Sequence, residues 1–456
     1  MNAHFIWRTF RVLCPALALT LTALSASERP NFIIIFMDDV GYADVGCFGA
    51  KNFQTPRLDR FAGEGVRLTD FYAQAVCGPS RGALMTGRYP VRVGGGWRTN
   101  GDEVTVAEVL KGAGYVTCCI GKWDMSNRRY QEGLMPNDQG FEHYFGTWGA
   151  NDSGKVTLHR DGEKLETTSD MSSLTRRYTD EAIKFLGEQK KEKPFFLYLA
   201  HTMAHVMIDA SEQFKGKSGG DLYGDVMEEA DWNAGRLLDA VRELGFEENT
   251  FVLFTSDNGP WNSKEEQFRK SHGGHQATGS ALPLRGGKSS AYEGGFREPT
   301  ILRGPGVPVG ESRDGILATL DVLPTFAALA GADLPQDRVL DGVDQSAYLL
   351  GKAPESARDH FVYHIGPEPR ALRWKEWKLW FNKRGKGNGG GQAAPYVAAE
   401  LYNLKDDIGE SKDVAADHPE IVARLLAMAQ EAPSGKKPVP GVKPGRGKKS
   451  TLPTTP

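Results

Sequence analysis

Cysteine is scarce in this chain, with five in 456 residues. A small scaffold stapled by disulfides uses far more, so that class is excluded. No charge of one sign dominates. There are 55 Lys and Arg against 58 Asp and Glu, a net charge of −3, which excludes nucleic-acid binding through bulk positive potential. At 40% hydrophobic and 25% charged, the chain is also too polar for a polytopic membrane protein. Glycine is plentiful instead: 54 residues, above the usual ~7%, which points to long functional loops. The length suits one large core with a smaller domain, or two to three average domains.

The N-terminus reads as an export signal. Arg8 and Arg11 precede an apolar run from Val12 to Leu24, and Ala23-Leu24-Ser25 offers small residues for cleavage after Ser25. About 13 apolar residues are too few to cross a hydrocarbon core of ~30 Å, so no membrane span is expected. The destination is periplasmic or secreted. At the other end, residues 433–456 carry Lys436, Lys437, Lys443, Arg446, Lys448 and Lys449 among Pro and Gly, with no acid. Such a segment builds no core and is expected to be a disordered basic tail.

Between these ends, short apolar runs alternate with helical patterns. Strands are predicted at Asn31–Met37, Tyr115–Ile120, Phe195–Ala200, Thr250–Ser256 and Thr300–Arg303, several of them continuous Ile, Phe, Leu or Val. Helices are predicted at Val104–Ala113, Arg176–Gln189, Tyr223–Leu244 and Asp321–Ala330. The alternation implies an α/β sandwich with a mostly parallel central sheet over residues 26–350. Beyond that, Phe361–His364, Ala371–Trp374, Lys378–Phe381 and Leu401–Asn403 are short β-prone pieces. A Gly-rich loop lies at Gly385–Gly391, and a helix is predicted at Pro419–Gln430. Residues 351–432 are thus expected to form a small antiparallel sheet with one helix.

Four predicted strands end in residues that bind metals or move protons. Asn31–Met37 runs into Asp38-Asp39, Tyr115–Ile120 into Gly121-Lys122-Trp123-Asp124, Phe195–Ala200 into His201 and then His205, and Thr250–Ser256 into Asp257-Asn258. In open α/β sheets, ligands bind beyond the carboxyl ends of strands. Asp38, Asp39, Asp257 and Asn258 make an all-oxygen set suited to Ca²⁺ or Mg²⁺ rather than Zn²⁺. Three carboxylates brought together without a cation would repel one another.

The segment Cys77-Gly78-Pro79-Ser80-Arg81 opens a predicted helix that Gly87 can end. Cys77 at a helix N-terminus is open to several readings: a buried thiol, half of a disulfide, or a low-pKa nucleophile. Cys-x-Pro-Ser-Arg resembles the signature of the type I sulfatases, members of the alkaline phosphatase superfamily. Arg29–Gly49, Gly121-Lys122-Trp123, Ser256–Pro260, Pro283–Lys288 with Glu293-Gly294-Gly295, and Glu400–Leu404 resemble further blocks of that family.

The resemblance implies an alkaline-phosphatase-like sandwich, a sulfated carbohydrate substrate, and oxidation of Cys77 to formylglycine by a maturation enzyme during export. It implies a cation, usually calcium, held by Asp38, Asp39, Asp257 and Asn258 with residue 77. It assigns Arg81 to the formylglycine hydrate, Lys122 and Lys288 to the sulfate oxygens, and His205 to protonation of the leaving group. The family usually reads Gly-Lys-Trp-His, where this chain has Asp124. Asp124 can serve as an alternative base, another residue can do so, or sulfate release is slow; acid–base capability favours the first. Arg92, Trp97, Arg98, Trp148, Asn151, His201, His272 and His275 are candidate substrate contacts, since aromatic and basic side chains suit a sulfated sugar. Two other readings stand beside hydrolysis of a sulfate ester: a phosphodiester or phosphonate hydrolase of the same superfamily, and a non-catalytic sulfated-glycan binder.

Of the other cysteines, Cys14 leaves with the signal. Cys118 and Cys119 are adjacent on a strand and so face opposite sides. At most one disulfide is expected among Cys47, Cys118 and Cys119.

Overall fold

A computed structural model describes residue 1 and residues 29–94, 97–261, 279–383 and 396–434. The export signal, His272, His275, the Gly-rich loop and the basic tail from Gly435 onward lie outside the described residues.

The large sheet contains β1 (Asn31–Met37), β2 (Val66–Tyr72), β3 (Val116–Lys122), β4 (His143–Thr147), β5 (Val156–Arg160) and β6 (Glu163–Thr168). It continues with β7 (Phe195–Ala200), β8 (Thr250–Ser256), β9 (Arg297–Arg303), β10 (Glu311–Arg313) and β11 (Leu317–Ala318). The order is β10-β2-β9-β8-β1-β7-β3-β4-β5-β6, with β11 also on β2. The centre, β8-β1-β7-β3-β4, is parallel, and β9, β5 and β6 add antiparallel pairs toward the edges. The fold is therefore the mostly parallel α/β sandwich expected.

Strand β1 shows why the centre is parallel and buried. All seven of its residues are inaccessible, and each fully buried Ile or Phe contributes about 1.5–3 kcal/mol. Ile33, Ile35 and Met37 pack against α1 (Pro56–Gly63), α4 (Leu174–Gly187) and α5 (Asp221–Glu243). Phe32, Ile34 and Phe36 pack on the other face, against α2 (Cys77–Thr86), α3 (Val106–Gly112) and α6 (Val322–Ala330). Cys118 and Cys119 divide between the same two layers, as alternation requires. The described thiols Cys47, Cys77, Cys118 and Cys119 form no disulfide.

After a short α7 (Ser346–Leu349) comes the small antiparallel sheet, β12 (His360–Ile365), β13 (Glu368–Trp374), β14 (Trp377–Lys383) and β15 (Tyr396–Asn403), in sequence order. Helix α8 (Pro419–Glu431) covers it with Leu425 and Ala429. Tyr72, Ala83, Tyr89 and Phe296 of the large unit share that apolar cluster, so the small sheet is docked through a common core.

Register levels the carboxyl ends. Phe36 pairs with Ala200, Met37 with Ser256, and Gly121 with Ala200. The next residues, Asp38, His201, Asp257 and Lys122, therefore emerge together. Gly121 permits this approach. Its φ is +100°, and a Cβ there would stand 1.8 Å from the Ala200 carbonyl oxygen. Gly121→Ala should destabilise the protein by more than about 2 kcal/mol, as measured by urea unfolding.

Candidate active site

Val76, extended at φ −153°, precedes α2, so Cys77 is the first residue of the helix and Arg81 follows one turn later on the same face. Gly87, at φ +65°, ends the helix as expected. The Cys77 thiol donates to Asp38 Oδ1 at 3.3 Å and accepts from Lys288 Nζ at 3.2 Å. Arg81 is fully buried. Its Nη2 donates to Asp257 Oδ2 at 2.7 Å, and its Nη1 donates to the Lys122 carbonyl at 3.1 Å and the Tyr198 hydroxyl at 3.3 Å. Lys122 Nζ is 2.7 Å from Asp38 Oδ2 and 3.4 Å from Asp124 Oδ2. Asp39, at φ +60°, accepts on Oδ1 from Lys288 at 2.5 Å and from Asn258 Nδ2 at 2.6 Å.

The carboxylates divide electrostatically. Burial would push Asp38 up, but Lys122, then His205 and Arg81, override it and hold the carboxyl well below its usual range. Burial and Asp38 raise Asp257 to about 7 against Arg81. Burial also raises Asp39, with Asp38 adding to it against Lys288. The Cys77 thiol is pushed far up by burial and by Asp257 and Asp38. Without a bound cation, burial and these two carboxylates outweigh the favourable helix N-terminus.

The donors fit a divalent cation. One ligand atom from each of Asp38, Asp39, Cys77 and Asp257 lies within 4.8 Å of the others. Asp39 Oδ2 and Asn258 Oδ1 are buried without a hydrogen-bond partner among the described residues. Buried oxygens with no donor, grouped around converging carboxylates, are what a hard cation satisfies.

His205 Nδ1 lies 2.5 Å from the Val206 carbonyl, while Nε2 is 3.8 Å from Asp39 Oδ2 and 3.6 Å from Asp152 Oδ1. Burial and Lys288 lower its pKa to about 3, so the imidazole is neutral in the resting site. Asp124 is buried at φ +54°. Its Oδ1 accepts from Arg128 Nε at 3.0 Å, and its Oδ2 accepts no hydrogen bond from the described residues.

A cavity of about 650 Å³ opens above this cluster, lined by Trp97, Arg128, Asp152, His205, Trp261 and Lys288 among others. Trp97 was an expected substrate contact, and Arg98 is exposed beside it. Several other candidates stand elsewhere. Arg92 is bound to Asp341 at 2.9 Å. Trp148 is stacked on His159, with ring centroids 3.6 Å apart. Asn151 is wholly buried, and its Nδ2 holds the His205 and Met207 carbonyls at 3.0 and 2.7 Å. His201 is buried under the cluster, and burial lowers its pKa to about 4. None of these four is among the described residues lining the cavity. Partners explain three of them: Arg92, Trp148 and Asn151 are committed to Asp341, His159 and two carbonyls; His201 is simply buried, its Nδ1 without a partner among the described residues. Arg128, Asp152 and Trp261 are cavity residues that the sequence reading missed. They sit in irregular segments where no periodicity singles them out.

The loop carrying Lys288 is pinned from the C-terminal side. Glu293 accepts from the Tyr72 and Tyr363 hydroxyls at 2.6 Å each and from Lys378 at 2.9 Å. Glu410 accepts from Lys378 at 2.9 Å and from the Glu293 amide at 2.6 Å.

Residues 30–332 match the Sulfatase family. Human arylsulfatase A is 34% identical, covering 90% of this chain and 89% of its own. The N-acetylgalactosamine-6-sulfatase of Canis lupus familiaris is 35% identical over 76% of this chain and 70% of its own. Among solved structures, the PsFucS1 sulfatase from Pseudoalteromonas sp. superposes with a TM-score of 0.76 at 27% identity, covering 89% and 90% of the two chains. The chain belongs to the sulfatase family of sulfate-ester hydrolases.

Because bound cation relieves carboxylate repulsion in the folded state alone, a divalent ion at about 1,000 times its Kd should stabilise the protein by about 4 kcal/mol. A rising thermal midpoint on titration would show this, and Asp39→Asn should remove most of the rise.

Proposed function

We propose that the protein is an exported hydrolase that removes sulfate from a sulfated carbohydrate, using formylglycine made from Cys77 and a calcium ion. The observation that carries this reading is the position of Cys77: first residue of a helix, between Asp38 and Lys288, with Arg81 one turn on. The printed specificity of the canine relative, an N-acetylgalactosamine-6-sulfatase, supports a sugar sulfate. The apolar run behind Arg8 and Arg11 supports export.

A sulfate monoester is anionic, so catalysis must neutralise charge and place a nucleophile. Asp38, Asp39, Asp257 and Asn258 would hold the calcium ion, which polarises a sulfate oxygen when bound. Oxidised and hydrated, residue 77 supplies one hydroxyl to attack sulfur and a second whose deprotonation expels sulfate. Arg81 orients that hydrate, and Lys122 and Lys288 neutralise the sulfate oxygens. His205 faces the cavity through Nε2 and donates to the departing alcohol oxygen. The arriving anion offsets Lys288, a principal cause of the low resting pKa, and so favours protonation of the imidazole. Asp124 is the base for sulfate release. One of its oxygens is held by Arg128, and the other accepts no hydrogen bond from the described residues.

Mass spectrometry of the Cys77 peptide from a host with the maturation enzyme should show the aldehyde, and the same preparation should release sulfate from aryl and sugar sulfates. Full activity with unmodified cysteine, or a strong preference for aryl phosphodiesters, overturns the reading. Asp124→Ala should leave sulfated enzyme accumulating in intact-mass spectra during turnover, with kcat lowered about 100-fold. Unchanged steady-state turnover removes Asp124 from the mechanism.

A further inference from the structure

One wall of the cavity, adjoining the buried cluster through Asp124 and His205, contains a partly exposed ion pair. Arg128 Nη1 donates to Asp152 Oδ2 at 2.7 Å, and the two side chains are 33% and 36% exposed. Arg128 is held from behind. Its Nε is bound to buried Asp124, and its guanidinium lies 4.8 Å from the centre of the Trp97 ring. Both Asn127 and Arg128 have positive φ, +54° and +58°. Arginine rarely adopts that conformation unless surrounding contacts enforce it.

What this arrangement leaves open is specific. Arg128 Nη2 has no hydrogen-bond partner among the described residues. Asp152 Oδ1 is 3.6 Å from His205 Nε2, beyond hydrogen-bond reach. One donor and one acceptor therefore face the cavity side by side, beside Trp97 and over a floor that includes Lys288 and His205. Adjacent hydroxyls on a sugar ring, each able to donate and accept, match that pair.

The charge balance selects against a second anion. Arg128 is one cation facing two carboxylates, Asp124 and Asp152. Lys122 and Lys288 pair with Asp38 and Asp39 and are assigned above to the reacting sulfate. A sulfate or carboxylate placed next to the reacting ester would meet Asp152, with no cation beyond Arg128 and Lys288 among the described residues lining the cavity.

We propose that Arg128 and Asp152 form a specificity-determining pair that reads neutral, adjacent hydroxyls on the ring bearing the sulfate. The pair selects a monosulfated neutral sugar over one carrying a second anion beside the reacting ester. This rests on the sulfated-carbohydrate reading above and narrows it. Asp124 has a second role here, as the positioning residue that aims Arg128.

The test uses the matured, cation-loaded full-length enzyme and three substrates: an aryl sulfate, a monosulfated pyranoside with a free neighbouring hydroxyl, and the same pyranoside with that hydroxyl sulfated. Wild type should favour the monosulfated over the disulfated sugar by at least about tenfold in kcat/KM. Asp152→Asn should shrink that preference by about tenfold. Arg128→Lys, which keeps the charge but loses the fork, should raise KM for the monosulfated sugar more than it lowers kcat. Wild type that hydrolyses the disulfated sugar as fast or faster overturns the proposal without any variant. So do wild-type-like substrate ratios in both variants. If wild type turns over the aryl sulfate under those outcomes, only this inference falls. If it hydrolyses no sulfate ester at all, the hydrolase reading falls with it.

Discussion

Seven buried ionisable groups meet at the carboxyl ends of the central strands, and their mutual neutralisation is the constraint everything else serves. Asp38, Asp39, Asp124 and Asp257 face Arg81, Lys122 and Lys288. An unpaired buried charge costs several kcal/mol, so none of the seven is tolerable alone. Arg128 offsets Asp124 from the cavity wall, so the other three carboxylates face three cations, and a divalent cation held among them would leave a positive site suited to an anion. The level ends of β1, β7, β8 and β3, the tight approach at Gly121 and the placement of α2 are what bring these groups to one point.

The same field disfavours a thiolate at Cys77 in the cation-free site. A thiolate at Cys77 would add a further negative charge beside Asp257 and Asp38, and burial withholds the water that could screen it. The formylglycine proposed for residue 77 would avoid that difficulty, because a neutral hydrated aldehyde can defer deprotonation to the moment of reaction.

Much of this architecture was legible in the chain itself. β1, β7 and β8 have the boundaries their apolar runs predict, because strands buried on both faces announce themselves as continuous Ile, Leu and Phe. Asp38, Asp39, His201, Asp257 and Asn258 were legible because they directly follow those runs, and Lys122 because it follows the run of β3; Arg81 and Lys288 follow no such run and came from the family resemblance. The edge was not legible. β6, Glu163–Thr168, is exposed and polar along its length, so its strand character comes from pairing with β5 rather than from any pattern of its own. The cavity wall was equally hidden. Arg128 and Asp152 are 24 residues apart, and only tertiary folding places them together. Asn151 shows the converse error: a polar residue in a promising loop can be spent on carbonyls, here those of His205 and Met207.

The pinning of the Lys288 loop gives the cavity unequal walls. Glu293 is tied to β2, β12 and β14 at once, and Glu410 closes the same knot from the C-terminal segment. Moving Lys288 would mean opening a buried ion pair that spans two sheets. The opposite wall, Trp97 and Arg128, hangs on exposed loops. The two walls thus differ in what fixes them: one is braced by a second sheet, the other by the contacts of Arg128 with buried Asp124 and with Trp97.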